Sequence, residues 1–405
     1  MTAVAKTPIT HSNFAIPVMN QALDTPKLRV MQILPALNSG GVEKGTLELN
    51  LALVALGHTS LVVSSGGRLV AELEADGGEH ISLPVEKKSL SAIWQIGKLA
   101  KIIEHYQPDI VHVRSRLPAW ITHFALKKLS KQGQHPIHVS TVHGFNSVSK
   151  YSEIMTRADK VIVVSQSIGD YVLANYPSCP RERLALIYRG IEPKDWPYGY
   201  QPTTEWLHKT YQEFPQLQGK RWLTLVGRVS ELKGHEWLVK ALAELRTKAP
   251  NQYNDLQLVI IGANKETQSG YVTKLTEQIK QLGLADHVTF TGDRRDIADW
   301  LAASTISFNL SKKPESFGRT TLEALSLGVP VIAWDKGGVS EILTELYPAG
   351  KVPDSDLIGL VATIEQQLNT PSKPCHAYPF TLQAMTDQTI ALYQQLMAES
   401  QQAKR

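Results

Sequence analysis

The stretch LRVMQILPALNSGGVEKGTLELNLALVALG, residues 28–57, decides the fold. Its run Leu28–Leu34 predicts a buried strand, because short apolar runs bounded by turn residues favour strands. Over Val42–Leu56 apolar residues recur at helical spacing, and Gly57 supplies a stop after the last turn. A strand that leads through a glycine pair into an amphipathic helix begins a βαβ unit and predicts a parallel sheet.

The same alternation continues through the rest of the chain. Further strands are predicted in the first half at Ser60–Val63, Ile110–Val113, Ile137–Val142, Lys160–Val164 and Leu184–Ile187. Strands are predicted in the second half at Arg221–Val226, Leu256–Ile261, His287–Thr291, Thr305–Asn309 and Pro330–Ala333. Helices are predicted at Ile93–His105, Trp237–Thr247, Tyr271–Leu282, Ile297–Ala302, Thr321–Leu327 and Leu382–Met397. The predicted fold class is α/β, with two doubly wound, Rossmann-like parallel-sheet domains facing a cleft.

Length and composition predict the domain boundaries. At ~150 residues per domain, a chain of 405 residues is expected to form two domains. The segment 193–218, which begins rich in proline, glycine and aromatic residues, is the predicted linker between domains at 28–192 and 219–375. Residues 1–27 are predicted to form a flexible tail. Residues 376–405 are predicted to carry a helix that could pack on either domain, including back on the first.

Charge and cysteine usage indicate the compartment. No apolar run approaches the ~18 residues of a membrane-spanning helix, and Met1–Thr25 lacks the apolar centre of a secretory signal. Cys179 and Cys375 are too few for a disulfide framework, which favours a reducing cytosol. Residues 1–200 carry 21 basic and 16 acidic side chains, against 21 and 22 in residues 201–405. The excess of basic over acidic side chains in residues 1–200 is too small to predict nucleic-acid binding. It fits peripheral contact of the first domain with anionic lipid, or has no functional meaning.

Ligand-binding motifs are expected just after strands, because doubly wound sheets bind ligands at the carboxyl ends of their strands. Gly40 and Gly41 follow the first predicted strand. There a backbone N–H could meet a phosphate at the start of a helix, where the helix dipole favours negative charge. A glycine-rich helix start without a ligand is the alternative.

Two cations follow the first strand of the second predicted domain. Arg228 and Lys233 lie five residues apart within Gly227–Gly234. An Arg fork and a compact Lys charge can reach one anion, so a diphosphate is the expected ligand. Alternatively, the two cations only pair with the nearby Glu231 or Glu236.

Two glutamates border a predicted helix start in the second domain. Glu315 lies in a loop and Glu323 about two turns into the following helix, with Gly318–Thr320 between them. The two carboxyl groups are too far apart to act as an acid and base pair on one bond. They are expected to contact different parts of one long ligand, with backbone N–H groups at the helix start facing it.

These motifs together resemble the family-four retaining glycosyltransferases of the GT-B fold, over roughly residues 28–395. The resemblance rests on the glycine pair, on Gly-Arg-x4-Lys-Gly and on Glu-x7-Glu inside a Pro-Glu-x-Phe-Gly-x4-Glu-Ala block. It implies that Arg228 and Lys233 bind the diphosphate of a nucleotide sugar and that Glu323 holds the ribose hydroxyls. It also implies donor contacts near the sugar and distal phosphate, from Glu315, the backbone of Gly318, Arg319 and Thr320, and Gly41.

Several stretches are similar to bacterial lipopolysaccharide core glycosyltransferases: His112–Trp120, Thr141–Gly144, Tyr188–Ile191 and Pro314–Arg319. Many family members carry Asn-Gly-Val in place of Arg189-Gly190-Ile191 and an aliphatic residue in place of Arg319. These departures fit the lipopolysaccharide branch and leave open whether the sugar pocket is the usual one.

Other candidate residues follow strands of the first domain. The resemblance implies that His143 contacts the donor sugar near the reacting carbon, and a structural histidine is the alternative. Arg114 and Arg116 could bind a phosphorylated or acidic acceptor, or could pair with Asp109 or Glu153. Lysines on the following helix could touch lipid headgroups, or form a solvated face: Lys127, Lys128 and Lys131.

The sequence Asp354-Ser355-Asp356 spells a motif that metal-dependent transferases use. Its late position predicts instead a cap for a helix that begins near Leu357. Arg228 and Lys233 are available to neutralise a diphosphate, so neither a metal nor another cofactor is expected.

The predicted function is a retaining glycosyltransferase with His143 and Glu315 as candidate catalytic residues. It would move a hexose-type sugar from a UDP- or GDP-sugar to a lipid-linked acceptor, the lipopolysaccharide core or a related cell-surface glycan. The expected location is cytoplasmic, at the inner face of the membrane. The alternatives are a nucleotide-sugar epimerase of similar fold, a two-domain sugar-binding protein and a non-catalytic scaffold.

Overall fold

The structure is a computed structural model, and it describes residues 26–86, 92–131, 133, 135–262, 270–376 and 378–403. The chain forms two compact units. The first runs up to Tyr188 and takes in the segment from Gln383 onward, and the second spans Arg189–Leu382. The predicted tail lies outside the described residues, apart from positions 26 and 27.

The first unit is built on a parallel sheet. Its strands are β1 (Arg29–Ile33), β2 (Thr59–Ser64), β3 (Glu79–Ser82), β4 (Ile110–Val113), β5 (Ile137–Val142), β6 (Lys160–Val163) and β7 (Leu184–Leu186). Its helices up to Tyr188 are α1 (Gly41–Ala55), α2 (Val70–Ala75), α3 (Ala92–Tyr106), α4 (Arg116–Ser130), α5 (Lys150–Glu153) and α6 (Gln166–Asn175).

The strand order of this sheet is β3-β2-β1-β4-β5-β6-β7, and every pair is parallel. Chain progression therefore reverses between β1 and β4, where Ile33 pairs with Val113. Buried aliphatic side chains of the strands and helices form a continuous core that includes Met31, Val111 and Ile121. The loops after β1 and β4 thus meet at the switch point, the usual ligand position in doubly wound sheets.

The second unit repeats this architecture. Its strands are β8 (Arg221–Val226), β9 (Leu256–Ile261), β10 (Val288–Gly292), β11 (Ile306–Asn309), β12 (Val331–Trp334) and β13 (Lys351–Val352). Its helices are α7 (Thr204–Glu213), α8 (His235–Lys248), α9 (Gly270–Gln281), α10 (Ile297–Ala302), α11 (Arg319–Ser326), α12 (Gly337–Leu346) and α13 (Leu357–Asn369).

The second sheet has the order β10-β9-β8-β11-β12-β13 and is also parallel throughout. Its switch point lies between β8 and β11, where Leu223 pairs with Ile306. The core beneath it includes Leu225, Leu242 and Ile332. The prediction of two doubly wound, Rossmann-like parallel-sheet domains is confirmed.

The range 193–218, which the sequence presents as a linker, carries regular structure. Helix α7 lies in it and is capped by the Thr203 hydroxyl, which accepts a hydrogen bond from the Trp206 backbone N–H. The Trp206 ring packs edge-on against Trp300 at a centroid distance of 5.2 Å. Aromatic residues that look out of place in a linker therefore pack into the core of the second unit.

The last helix, α14 (Leu382–Ala403), belongs to the first unit from Gln383 onward. Its buried Tyr393 hydroxyl lies 2.6 Å from His112 Nδ1, and His112 Nε2 lies 2.6 Å from the Thr141 hydroxyl. This buried chain of hydrogen bonds fastens the helix to β4 and β5.

Within the described ranges, no helix combines the length and apolarity needed to cross a bilayer.

Candidate active site

The charged motifs of the second unit meet at its switch point. Lys233 ends a short 3-10 helix, Glu231–Lys233, that follows β8, and Glu315 lies in the loop after β11. Gly262, after β9, permits the close approach of the strand ends, because a Cβ there would lie 2.1 Å from the Gly227 carbonyl oxygen. The sequence motifs of two separate loops are thereby brought to one edge of the sheet.

The Glu315 carboxylate is held by a cation and a hydroxyl at this edge. The Lys233 ammonium donates to its Oε1 at 2.6 Å, and the Ser311 hydroxyl donates to the same atom at 2.7 Å. Burial raises the pKa of Glu315, but the Lys233 charge and the surrounding hydrogen bonds outweigh it and hold that pKa below the ordinary 4.5. Glu315 is therefore ionised at neutral pH and pairs with the cation predicted to bind a diphosphate.

The alternative, in which Lys233 only pairs with Glu231 or Glu236, is not what the structure contains. Both of those glutamates pair with the Lys312 ammonium, each at 2.8 Å. Arg228 is exposed, and no carboxylate among the residues that the structure describes pairs with it. Its guanidinium is thus available to an incoming anion.

Helix α11 begins at this edge with Arg319. Gly318 precedes it with φ 104°, and a Cβ there would lie 2.4 Å from a Val339 methyl group, so glycine is required. The N–H groups in the first turn of a helix have no partners within that helix and favour anions. The half-buried Thr320 lies in this turn, where the sequence predicts the phosphate contact.

Glu323 lies one turn further along α11 and is buried. Its Oε1 is 3.2 Å from Arg319 Nε, and the side chains are 11% and 26% exposed. The two glutamates of Glu-x7-Glu are thus each paired with a cation, Glu315 with Lys233 and Glu323 with Arg319.

Gly337 and Gly338, at the start of α12, are functional candidates that the sequence analysis does not identify. The Gly338 N–H donates to the Glu315 carbonyl oxygen at 2.8 Å, and a Cβ on Gly338 would lie 2.5 Å from the Phe317 Cα. They hold the Glu315 loop in place. The available signal was a second glycine pair between a strand and a helix, the pattern already used for Gly40 and Gly41.

The first unit carries its own candidate residues after β1, β4 and β5. Gly41 is the first residue of α1, after Gly40 with φ 134°. Arg114 is buried after β4 and donates from Nε to Gln32 Oε1 at 2.9 Å, and burial lowers the pKa of its guanidinium. His143 is half-buried directly after β5. Their predicted contacts with donor or acceptor stay predictions.

The predicted alternative partners of Arg114 and Arg116 are engaged elsewhere. Asp109 accepts a hydrogen bond from the Arg29 backbone N–H at 2.7 Å, and Glu153 lies 3.9 Å from Arg157. Arg116 instead donates to the Ser152 hydroxyl at 3.3 Å, and its guanidinium lies 5.6 Å from the centre of the Tyr151 ring.

The Asp-Ser-Asp sequence has a structural role. Asp356 caps α13, where its Oδ1 accepts from the Gly359 N–H at 2.9 Å, as the sequence predicts. Asp354 pairs with Lys336. Both carboxylates are therefore in use within the second unit.

Two doubly wound units, the second with carboxylate–cation pairs at its switch point, have the architecture of the GT-B glycosyltransferases. The family model described as Glycosyltransferase Family 4 matches residues 39–195. The model described as Glycosyl transferases group 1 matches residues 209–378. The chain belongs to this group of GT-B glycosyltransferases, built from a family 4 half and a group 1 half.

Two relatives illustrate the range of the group. The chain is 26% identical over 318 residues to spore coat protein SA of Bacillus subtilis. This match covers 76% of this chain and 79% of that protein. The chain is 33% identical over 125 residues to the lipopolysaccharide core biosynthesis mannosyltransferase LpsB of Rhizobium meliloti. This match covers 31% of this chain and 34% of LpsB.

Two solved structures share the fold. A glycosyltransferase from Rickettsia africae has a TM-score of 0.77 at 25% identity, with 92% of this chain and 99% of that chain covered. HepE of Anabaena, solved in complex with UDP-glucose, has a TM-score of 0.68 at 20% identity. The match covers 93% of this chain and 100% of that chain.

We predict that Lys233→Met lowers the free energy of unfolding by about 2 kcal/mol, because it leaves the Glu315 carboxylate partly buried without its cation. Adding Glu315→Gln should restore part of this loss. The pKa of Glu315 is lower in the folded protein than its ordinary 4.5. This difference stabilises the fold above pH 4.5, and the stabilisation is lost as the pH falls through the folded pKa. Because Lys233→Met removes the cation that lowers this pKa, the free energy of unfolding of the variant should change less between neutral and acid pH. Urea denaturation at pH 7 and at about pH 3.5 measures both effects.

Lys209→Met is the matched control. Its ammonium lies 2.6 Å from Glu205, the same distance as in the Lys233–Glu315 pair, but both side chains are exposed. Such a pair contributes less than about 1 kcal/mol. If the two variants lost equal amounts of unfolding free energy, the Lys233–Glu315 pair would be no more stabilising than an exposed ion pair.

Proposed function

We propose that the protein is a retaining glycosyltransferase that moves a hexose-type sugar from a UDP- or GDP-sugar to a lipopolysaccharide core or related cell-surface glycan. The observation that carries this proposal is the pairing of Lys233 with Glu315 beside the start of α11. Cations and helix-start N–H groups suit a diphosphate, and carboxylates suit the hydroxyl groups of a sugar and a ribose.

The charges of this site fit the chemistry of the transfer. As the bond between the sugar C1 and the phosphate oxygen breaks, negative charge develops on the departing diphosphate. Arg228, Lys233 and the first turn of α11 can stabilise that charge electrostatically. The acceptor oxygen then bonds to C1 on the same face, and its proton passes to an oxygen of the departing diphosphate. Glu315, paired with Lys233, would hold the sugar rather than attack it, so a glycosyl adduct on Glu315 would contradict this route.

Nucleotide-sugar use is supported by the relatives as well as by the site. HepE, which shares the fold, was solved with UDP-glucose, and LpsB, which resembles part of this chain, is named as a lipopolysaccharide core mannosyltransferase. The site supplies Arg228 and Lys233 for the diphosphate, so we propose that no metal or other cofactor is needed. The predicted donor contacts of Gly41 and His143 and the predicted acceptor contacts of Arg114 and Arg116 complete the proposal.

We predict that a single class of nucleotide sugar stabilises the purified protein against heat. At ~100 times its dissociation constant, a bound ligand adds roughly 2.7 kcal/mol. Glu323→Gln and Arg228→Met should abolish or strongly reduce the shift, and it should persist in a metal chelator. Thermal unfolding with UDP-, GDP- and ADP-sugars measures this.

Lys280→Met, which removes an exposed cation on α9, serves as the control and should leave the shift unchanged. If no nucleotide sugar stabilises the protein but free glycans do, the sugar-binding alternative is correct. If the nucleotide sugar is isomerised without an acceptor, the epimerase alternative is correct.

We also propose a cytoplasmic location with peripheral contact at the anionic inner face of the membrane. Ile93 and Trp94, at the start of α3, are 67% and 77% exposed. Tryptophan is enriched where proteins meet the interfacial region of a bilayer. On α4 and directly after it, three exposed lysines could contact anionic headgroups: Lys127, Lys128 and Lys131.

We predict that the protein co-sediments with vesicles containing phosphatidylglycerol but not with pure phosphatidylcholine vesicles. Replacing the three lysines by glutamine should weaken binding by roughly 1 kcal/mol for each lysine that lies near the surface. Trp94→Ser should weaken it further. Equal binding to neutral vesicles, or no effect of the triple variant, would contradict membrane contact through these residues.

A further inference from the structure

Lys312, in the loop after β11, is joined to the segment that carries Lys233. Its backbone N–H donates to the Leu232 carbonyl oxygen at 2.8 Å, and Leu232 precedes Lys233 in the same short 3-10 helix. The Lys312 ammonium pairs with Glu231 and with Glu236, each at 2.8 Å. One lysine therefore binds both of the carboxylates that lie within three residues of Lys233 in the chain.

The stability of the fold does not by itself account for these two ion pairs. The Lys312 and Glu231 side chains are 38% and 72% exposed, and pairs that are this exposed contribute little to stability. Glu236 is only 17% exposed, but it has a second partner, because the Tyr271 hydroxyl donates to its Oε2 at 2.6 Å. A larger consequence is expected for the electrostatic potential around Lys233.

The net charge of the two loops depends on Lys312. Residues 227–236 contain two basic and two acidic side chains, and His235 is neutral at pH 7, because burial lowers its pKa to about 4. Residues 310–318 contain two lysines and one glutamate. The two loops together therefore carry one net positive charge, and without Lys312 they would carry none.

We infer that Lys312 is a positioning residue for the diphosphate of the donor, because it offsets the charge of Glu231 and Glu236 beside Lys233. This inference rests on the proposed function. Without Lys312, two uncompensated carboxylates would lie close to the cation that receives the diphosphate, and they would repel it. Either carboxylate could also turn toward Lys233 and reduce its attraction for the diphosphate. Both effects lower the affinity for a diphosphate.

The test compares the affinities of the full-length protein for a nucleoside diphosphate and for its nucleoside, UDP with uridine and GDP with guanosine, by calorimetry. Lys312→Met should weaken binding of the diphosphate that the protein accepts by about 10-fold. The matching nucleoside carries no phosphate charge, so its affinity should stay unchanged. If the variant binds nucleoside and diphosphate more weakly in parallel, the role of Lys312 is confined to loop packing and the inference is overturned.

Salt provides a second readout, which a purely structural role would not move. The Debye length falls from about 30 Å at 0.01 M salt to about 3 Å at 1 M salt. The difference in diphosphate affinity between Lys312→Met and the unmodified protein should therefore be largest at low salt and shrink as salt is added. A difference that stays constant would contradict an electrostatic role.

Removal of the two carboxylates should reverse the loss. Adding Glu231→Gln and Glu236→Gln to Lys312→Met should restore the diphosphate affinity, because no uncompensated negative charge then remains beside Lys233. If the triple variant binds no better than Lys312→Met alone, the inference is wrong. If Lys312→Met does not fold, the two glutamine substitutions alone provide the measurement. They should then raise the diphosphate affinity at low salt, and an unchanged affinity would overturn the inference.

Lys248→Met is the matched control. Lys248 ends α8, and its ammonium lies 2.7 Å from Glu365, so this substitution also leaves a carboxylate without its cation. Lys248 lies about 18 Å along the helix from Glu236, which is more than the Debye length of about 8 Å at physiological salt. The diphosphate affinity of this variant should equal that of the unmodified protein.

Failure of the inference can be told apart from failure of the proposed function. An unmodified protein that binds neither UDP nor GDP would contradict the proposed function, and the inference with it. An unmodified protein that binds one of them, and that Lys312→Met matches in affinity at low salt, would contradict the inference alone.

Discussion

The partly buried carboxylate of Glu315 is the constraint on which the candidate site of the second unit depends. A charge removed from water needs an opposite charge and hydrogen bonds, and Glu315 finds them in Lys233 and Ser311. Because Lys233 follows β8 and Glu315 follows β11, their contact joins the two loops beside the switch point. Gly338 then fixes the backbone of the Glu315 loop. The proposed positions of the diphosphate and hydroxyl contacts depend on this one interaction.

The fold was largely readable from the sequence because buried parallel strands are continuous apolar runs. The strands Leu256–Ile261 and Arg221–Val226 were predicted with the bounds that the structure has. Two strands were missed: β3, whose residues are exposed or half-buried, and β13, which has only two residues. Both lie at the edge of a sheet, where a strand pairs on one side and needs no long apolar run. Helix α7 was missed because the proline- and glycine-rich start of its segment masked its helical pattern.

The candidate site was readable as a set of residues but not as a set of contacts. Spacing along the chain placed Lys233, Glu315 and Arg319 after strands and therefore at one edge of the sheet. It could not show that Glu315 takes Lys233, leaving Glu231 to Lys312, because that choice depends on how neighbouring loops pack. Nor did it identify Gly338, whose importance lies in its distance to Phe317.

We propose that these charges stabilise a departing nucleoside diphosphate while a sugar is transferred with its configuration retained. The most direct measurement is time-resolved proton NMR of the anomeric protons, with the full-length protein, its nucleotide sugar and a lipopolysaccharide core oligosaccharide. We expect the donor signal to decline as a glycosidic signal of the same anomeric configuration appears. A product of inverted configuration, or consumption of the donor without a new glycosidic bond, would contradict it.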